Sequence, residues 1–262
     1  MSNKKRSTRK SGNSDGFEEL KPEKVKKESP YVFQRDKVNY ELKVKELPWT
    51  PKQKEIIDLI LDKKTKIVFL SGPAGTSKTI LSAYCALKML DDKKISDVIY
   101  IRSVIESASK SLGYLPGLAD QKMEPYAAPL MDKMEELTSA GICTKLMNEE
   151  RIHAIPINFL RGSSFNVKCI IADEMQNAEF NEITTIITRI GNFSKFIFCG
   201  DPMQTDLKEK SKSGFKPMYD LFNNEESREN GIFCVELGKE DIVRSEILKF
   251  IVDKLEIYKK KD

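Results

Sequence analysis

The sequence predicts an α/β protein: a parallel sheet with helices on both faces. Three observations lead there. Six short apolar runs read as strands: KIVFLSG (66–72), which reads as buried, DVIYIRS (97–103), HAIPINFL (153–160), KCIIADE (168–174), KFIFCGD (195–201) and IFCVEL (232–237). Helical patterns alternate with them, and that alternation gives parallel strands joined by crossover helices. Three of the strands also end in Gly, Asp or Glu, at the carboxyl ends where ligands bind in open α/β sheets.

At 262 residues the chain fits one sizeable domain plus a tail. Residues 1–30 are polar, rich in Ser, Lys and Glu, and nearly free of large apolar side chains. They cannot offset their ordering entropy by burial, so they read as a disordered basic leader. Residues 31–262 then form the domain, with 31–48 an ordered approach to the core. At Thr50-Pro51-Lys52-Gln53 a helix begins: threonine can cap, proline suits the first helical position, and Gln53 can close a capping box. Further helices are expected over 79–90, 124–138, 178–190 and 240–259. The stretch from Val104 to Tyr126, punctuated by Ser, Gly and Pro, reads as an insertion or lid over the strand ends.

Residues 1–50 carry 13 Lys/Arg and 8 Asp/Glu, the rest 31 and 32, so the basic bias belongs to the leader. That weakens a nucleic-acid argument made from overall charge. No apolar run approaches the ~18 residues that span a bilayer, and no signal peptide is evident, which points to a cytoplasmic protein with no membrane partner. The five cysteines are scattered, four in apolar runs, as buried small hydrophobes would be.

Chemistry concentrates at three places. Strand 66–71 feeds Gly72-Pro73-Ala74-Gly75-Thr76-Ser77-Lys78-Thr79, then Ile80 on the following helix. A helix N-terminus offers unpaired N–H groups, and a glycine turn before it lets the backbone wrap phosphate. Lys78 would reach the β/γ-phosphates of ATP and Thr79 would hold Mg²⁺. The motif expects glycine where Ser77 stands, at a conformational cost if that position needs positive φ. Strand 168–173 delivers the second feature, Asp173 to orient the Mg²⁺ shell and Glu174 to deprotonate the attacking water. The third is Gly200-Asp201-Pro202-Met203-Gln204, whose Gln204 can sense the γ-phosphate. The order is that of an ATP motor with an extra strand between cradle strand and acid strand.

With these motifs the chain resembles the PhoH family, ATPases similar to the N-terminal motor half of superfamily 1 helicases. The likeness spans roughly residues 45–257. It includes IRSVIESASKSLGYLPG (101–117), EPYAAPLMDKM (124–134), INFLRGSSF (157–165), IIADEMQNA (170–178), TRIGNFSKFIFCGDPMQTD (188–206) and DIVRSEILKFIV (241–252). It implies a RecA-like core, ATP and Mg²⁺ as cofactors, and RNA or single-stranded DNA as partner. It also implies a homo-oligomeric, often hexameric, ring. Gln53 matches a glutamine that reads adenine, alongside the capping role. Arg244 matches an arginine that touches the γ-phosphate, in the same chain or a neighbour. Arg189 is a second finger candidate, or a structural partner of Glu179 or Glu182. Arg102 and Arg161 match positions that contact nucleic acid or brace the fold. Compact form and basic leader are similar to phage-encoded versions, which would act in the host cytoplasm. Two functions compete: a nucleic-acid-dependent, helicase-like ATPase, and an ATP-switched binding or assembly factor. A kinase fits less well, because the acid pair and G-D-x-x-Q are not its usual parts.

Overall fold

Helix α1 (Pro51–Leu61) starts as its sequence dictates. The Thr50 N–H donates to Gln53 Oε1 at 3.0 Å and the Gln53 N–H to Thr50 Oγ1 at 3.2 Å, closing the capping box. The structure is a computed structural model that describes residues 37–103, 119–157, 160, 164–207, 209, 212–242, 247, 250, 251 and 254. The leader, residues 104–118, Arg161 and Arg244 therefore lie outside the described residues.

After α1 come β1 (Ile67–Ser71), α2 (Lys78–Asp91), β2 (Asp97–Arg102), α3 (Ala119–Leu137), α4 (Ala140–Asn148), β3 (Ile152–Pro156) and β4 (Lys168–Asp173). They are followed by α5 (Phe180–Ile187), β5 (Lys195–Gly200), α6 (Phe215–Phe222), α7 (Glu225–Glu229) and β6 (Ile232–Glu236). All strand pairs are parallel, in the order β3-β2-β4-β5-β1-β6. The cradle strand β1 is thus separated from the acid strand β4 by β5, the extra strand the sequence predicts.

Every residue of β1 and β5 is buried, because helices cover both faces. Val68, Leu70, Ile197 and Cys199 pack with α1 to α4, and Ile67, Phe69, Phe196 and Phe198 with α5 and α6. Phe69 stacks on Phe198 and Phe222, at centroid distances of 4.9 and 5.9 Å. The first residue of β5 serves a helix rather than the sheet. Buried Lys195 donates its ammonium to the carbonyls of Ile60 and Asp62, which the end of α1 leaves unpaired. Burial pushes that ammonium below the ordinary lysine value.

Residues 37–50 form no regular element, yet they are tied down. Leu42 is fully buried, its N–H donates to Asp91 Oδ1 at 2.8 Å, and its carbonyl accepts from Thr138 Oγ1 at 2.5 Å. The Lys45 N–H donates to the Leu137 carbonyl, and the Tyr84 hydroxyl donates to Glu46. This strap ends at Trp49, whose ring meets Tyr84 edge-on, and so leads the chain into the cavity described below.

All six expected strands are present, although β3 spans Ile152–Pro156 rather than 153–160, and the helices need correction. Helix α3 starts at Ala119 rather than 124 and tolerates Pro125 and Pro129, held by buried Ala127, Leu130, Met134 and Leu137. Helix α5 spans only Phe180–Ile187, shorter than 178–190, because a 3-10 turn over Met175–Asn177 precedes its Glu179 cap. Of the expected 240–259 helix, Lys239–Asp241 form a 3-10 turn, and residues 247, 250, 251 and 254 are helical. Helices α4, α6 and α7 were not foreseen. In α6 the Pro217 ring sits in the first turn, where its missing N–H costs nothing, and Phe215, Met218 and Tyr219 are buried. All five cysteines are free, four of them buried. Among the described residues no helix is long and apolar enough to cross a membrane.

Candidate nucleotide site

Strand β1 ends against β6, and that contact shapes the loop. A Cβ on Gly72 would lie 2.7 Å from the Leu237 carbonyl oxygen, so only glycine lets the chain turn away there. Gly75 has φ +88 and Ser77 has φ +69, both left-handed. Ser77 therefore occupies the conformation that glycine takes without cost, and the strain expected from the sequence is present. Buried Thr76 braces the turn by donating Oγ1 to the Pro73 carbonyl at 2.8 Å. Lys78 reaches back across the loop to the carbonyls of Gly72 (2.6 Å) and Pro73 (3.0 Å). Those bonds use two of three ammonium protons, leaving one donor for a phosphate oxygen.

The acid pair stands opposite. Asp173, 6% exposed, accepts from Thr79 Oγ1 and the Tyr100 hydroxyl on Oδ2, each at 3.0 Å, and from the Glu174 N–H on Oδ1 at 3.0 Å. Burial, and then the neighbouring Glu174, raise its pKa above the usual carboxylate value, although these hydrogen bonds oppose the shift. The Tyr100 phenol is pushed far up by burial and by Asp173, which keeps it a protonated donor. Glu174 has φ 56, so the left-handed turn after β4 re-aims its carboxylate. The Gln176 amide donates to Glu174 Oε2 at 2.5 Å, while Gln176 Oε1 accepts the Asp201 N–H at 3.1 Å. Asn177 and Asp206 exchange two hydrogen bonds, of 3.2 and 2.8 Å. The acid turn and the G-D-x-x-Q turn are thus stitched together.

These groups line one cavity of about 440 Å³, a size suited to a small ligand. Of the residues expected from the sequence, Gln53, Ala74, Gly75, Ser77, Lys78, Thr79, Ile80, Asp173, Glu174 and Gln204 line it. Gly72, Pro73 and Thr76 shape it from behind. Arg189 is not among its lining residues; its guanidinium donates to the Leu160 carbonyl at 3.0 Å. Arg102 ends β2, beside Asp173 in register. The capping box uses only the carbonyl oxygen of Gln53. Its Nε2, in a side chain 1% exposed, has no partner among the described residues and can serve a ring-nitrogen acceptor. Capping and base recognition are therefore compatible in one side chain.

Sequence reading missed part of the wall: Leu47, Pro48 and Trp49 from the strap, Lys133 and Glu136 from α3, and Gln176. Only Trp49 and Gln176 carried a local signal, an aromatic just ahead of the Gln53 turn and a glutamine two places after the acid pair.

The residues fit a nucleotide. There is a glycine-built cradle at a helix N-terminus, a hydroxyl and carboxylate pair with oxygen donors suited to Mg²⁺, and a buried amide donor beside an indole. Sheet order and site together define a P-loop NTPase fold. Residues 46–256 match the family described as PhoH-like protein, and the chain belongs to that family. It is 34% identical over 215 residues to a PhoH-like protein of Mycobacterium leprae (strain TN), covering 82% of this chain and 60% of that one. Against a PhoH-like protein of Bacillus subtilis (strain 168) the identity is 34% over 191 residues, covering 73% and 58%. The chain thus spans about three-fifths of the length of these relatives. Among solved structures, the Pif1 helicase from Candida albicans aligns at 16% identity and a TM-score of 0.37, covering 74% of this chain and 40% of that one. The Sulfolobus solfataricus SWI2/SNF2 ATPase core aligns at 12% and 0.45, covering 76% and 47%.

Two outcomes follow from the strain and the buried charge. Ser77→Gly relieves the left-handed serine and should stabilise the protein by about 1 kcal/mol, read as a higher denaturant midpoint with unchanged slope. Asp173 has a raised pKa in the folded state. Its stabilising share is complete below the unfolded value and is lost as pH rises through the folded one. At pH 7 Asp173→Asn should therefore raise the melting temperature of the ligand-free protein by about 2–4 °C, corresponding to ~1 kcal/mol. The gain should vanish in acid.

Proposed function

We propose that the protein is a Mg²⁺-dependent ATPase. The observation that carries this reading is the convergence of Lys78, the Thr79–Asp173 pair and Glu174 on one cavity. Bound MgATP would supply the phosphoanhydride to be cleaved and a cation to neutralise the charge developing on it. The N–H groups opening α2 and the free Lys78 donor hold phosphate oxygens, and Thr79 with Asp173 holds the cation. Gln53, between strap and cradle, takes the adenine. Glu174 accepts the proton of the attacking water, and its Gln176 contact fixes one carboxylate oxygen so that the other faces the reaction. Gln204, exposed at the mouth, sits where a γ-phosphate would end, and Asp201 links it through Gln176 to the base. Arg244 completes the charge compensation as an arginine finger, with Arg189 of a neighbouring subunit as the other candidate.

In this reading, hydrolysis drives binding or remodelling of RNA or single-stranded DNA by a homo-oligomeric, hexameric ring in the cytoplasm. The membership of a family whose motor resembles that of helicases supports it. One observation favours a second reading, the ATP-switched assembly factor: residues 51–262 are close to charge-neutral, without the basic excess of a nucleic-acid binder.

Glu174→Gln should keep nucleotide affinity and lose at least ~100-fold in turnover, whereas Lys78→Ala should lose about 10-fold or more in affinity. Normal turnover in Glu174→Gln removes the base assignment. ATPase rates with and without single-stranded RNA and DNA, across salt concentrations, separate the two readings. Stimulation that fades with salt supports the nucleic-acid motor, and an unresponsive rate supports the switch.

A further inference from the structure

Strand β2 contributes one group to the site that the cradle and the acid pair do not require. Tyr100 is 1% exposed, and its ring belongs to the core beneath α2. In register it lies beside Ile171 of β4, two residues short of Asp173, and its side chain extends up the sheet to the carboxylate. The contact is to Oδ2, the same oxygen that accepts from Thr79. A phenylalanine would occupy nearly the same volume, so core packing alone does not call for the hydroxyl.

The consequence lies in directions. An ionised carboxylate only accepts, so both hydroxyls donate. With the Thr79 proton aimed at Asp173, the lone pairs of Thr79 Oγ1 are left for another acceptor-seeking group. The Glu174 N–H occupies Oδ1. Three donors from three segments, the head of α2, strand β2 and the turn after β4, therefore hold the carboxylate in one orientation. Without the phenol, Oδ2 keeps a single donor, and the side chain gains freedom to turn about its Cα–Cβ and Cβ–Cγ bonds.

We propose that Tyr100 is a positioning residue for Asp173: its hydroxyl holds the carboxylate against Thr79 and thereby sets how tightly the site takes Mg²⁺ with its nucleotide. This rests on reading Thr79 and Asp173 as the Mg²⁺-holding pair. Tyr100 touches neither nucleotide nor cation and acts only through Asp173. Loss of such a partner to a metal-holding group typically costs 10–100-fold in metal affinity.

The test measures binding, independent of turnover. A fluorescent ATP analogue is titrated into wild type, Tyr100→Phe and Asp173→Asn, in EDTA and over a Mg²⁺ series. The melting temperature of each protein is recorded alongside. Tyr100→Phe should need about 10-fold more Mg²⁺ for half-maximal tightening, with unchanged affinity in EDTA. A Mg²⁺ midpoint within twofold of wild type would overturn the proposal. So would an equal loss of affinity with and without Mg²⁺, which marks a purely structural role. If Asp173→Asn responds to Mg²⁺ as wild type does, the assignment of the pair fails and Tyr100 falls with it. A normal Tyr100→Phe beside a defective Asp173→Asn sinks the Tyr100 proposal alone.

Discussion

The hydrogen bond from Thr79 to Asp173 is the constraint on which the site depends. The residues stand 94 positions apart, one at the head of α2 and the other at the end of β4, with β5 between their strands. Their 3.0 Å contact fixes how the helix head sits over the sheet, and with it the distance from the phosphate loop to the acid pair. The bond can form because β1, β5 and β4 are buried on both faces and so hold their register. Its cost is a carboxylate deprived of water, visible in the raised pKa of Asp173. The proposed cation-holding role accounts for keeping such a charge, although the fold alone would be better off without it.

Backbone strain flanks the same contact. Ser77 and Glu174, one on each side of the cavity, both adopt left-handed conformations without being glycine. Each costs on the order of 1–3 kcal/mol and persists because its neighbours over-determine it. For Ser77 these are the Thr76 brace and the start of α2. For Glu174 they are its own N–H bond to Asp173 and the Gln176 amide. The strain is placed where a loop must aim groups at one point, and the buried strands below carry none of it.

Gln176 and Asn177 form a second joint between motifs. Through them the turn after β4 grips the turn after β5 by both a side-chain amide and a reciprocal pair of bonds. One buried side chain, Gln176, thus contacts both the Asp201 N–H and the Glu174 carboxylate. The strap from Val38 to Trp49 plays a similar part on the other flank, because its backbone bonds to α3 and the side chain of Asp91 fix the wall near Gln53.

Much of this was legible in the sequence. Short apolar runs alternating with helical patterns satisfy their backbone as parallel strands, so all six strands were recognisable, although β3 and β6 prove to be less buried edge strands. The cradle, the acid pair and the capping box were equally local, since each is specified by neighbouring residues and the helix or strand they terminate. The helices α4, α6 and α7 were not legible, because Gly141, Pro217 and the polar run of α7 oppose helix locally and, in α4 and α6, buried Cys143, Leu146, Phe215 and Met218 overrule them. The partners of the site were also hidden: Gln176, Lys133, Glu136 and Trp49 line the cavity from three segments, and Tyr100 reaches Asp173 from a fourth, β2. Sequence determined which groups could do chemistry, because motif residues are read from their immediate neighbours. Tertiary structure alone decided which groups hold them in place, because the order of strands in the sheet sets those distances.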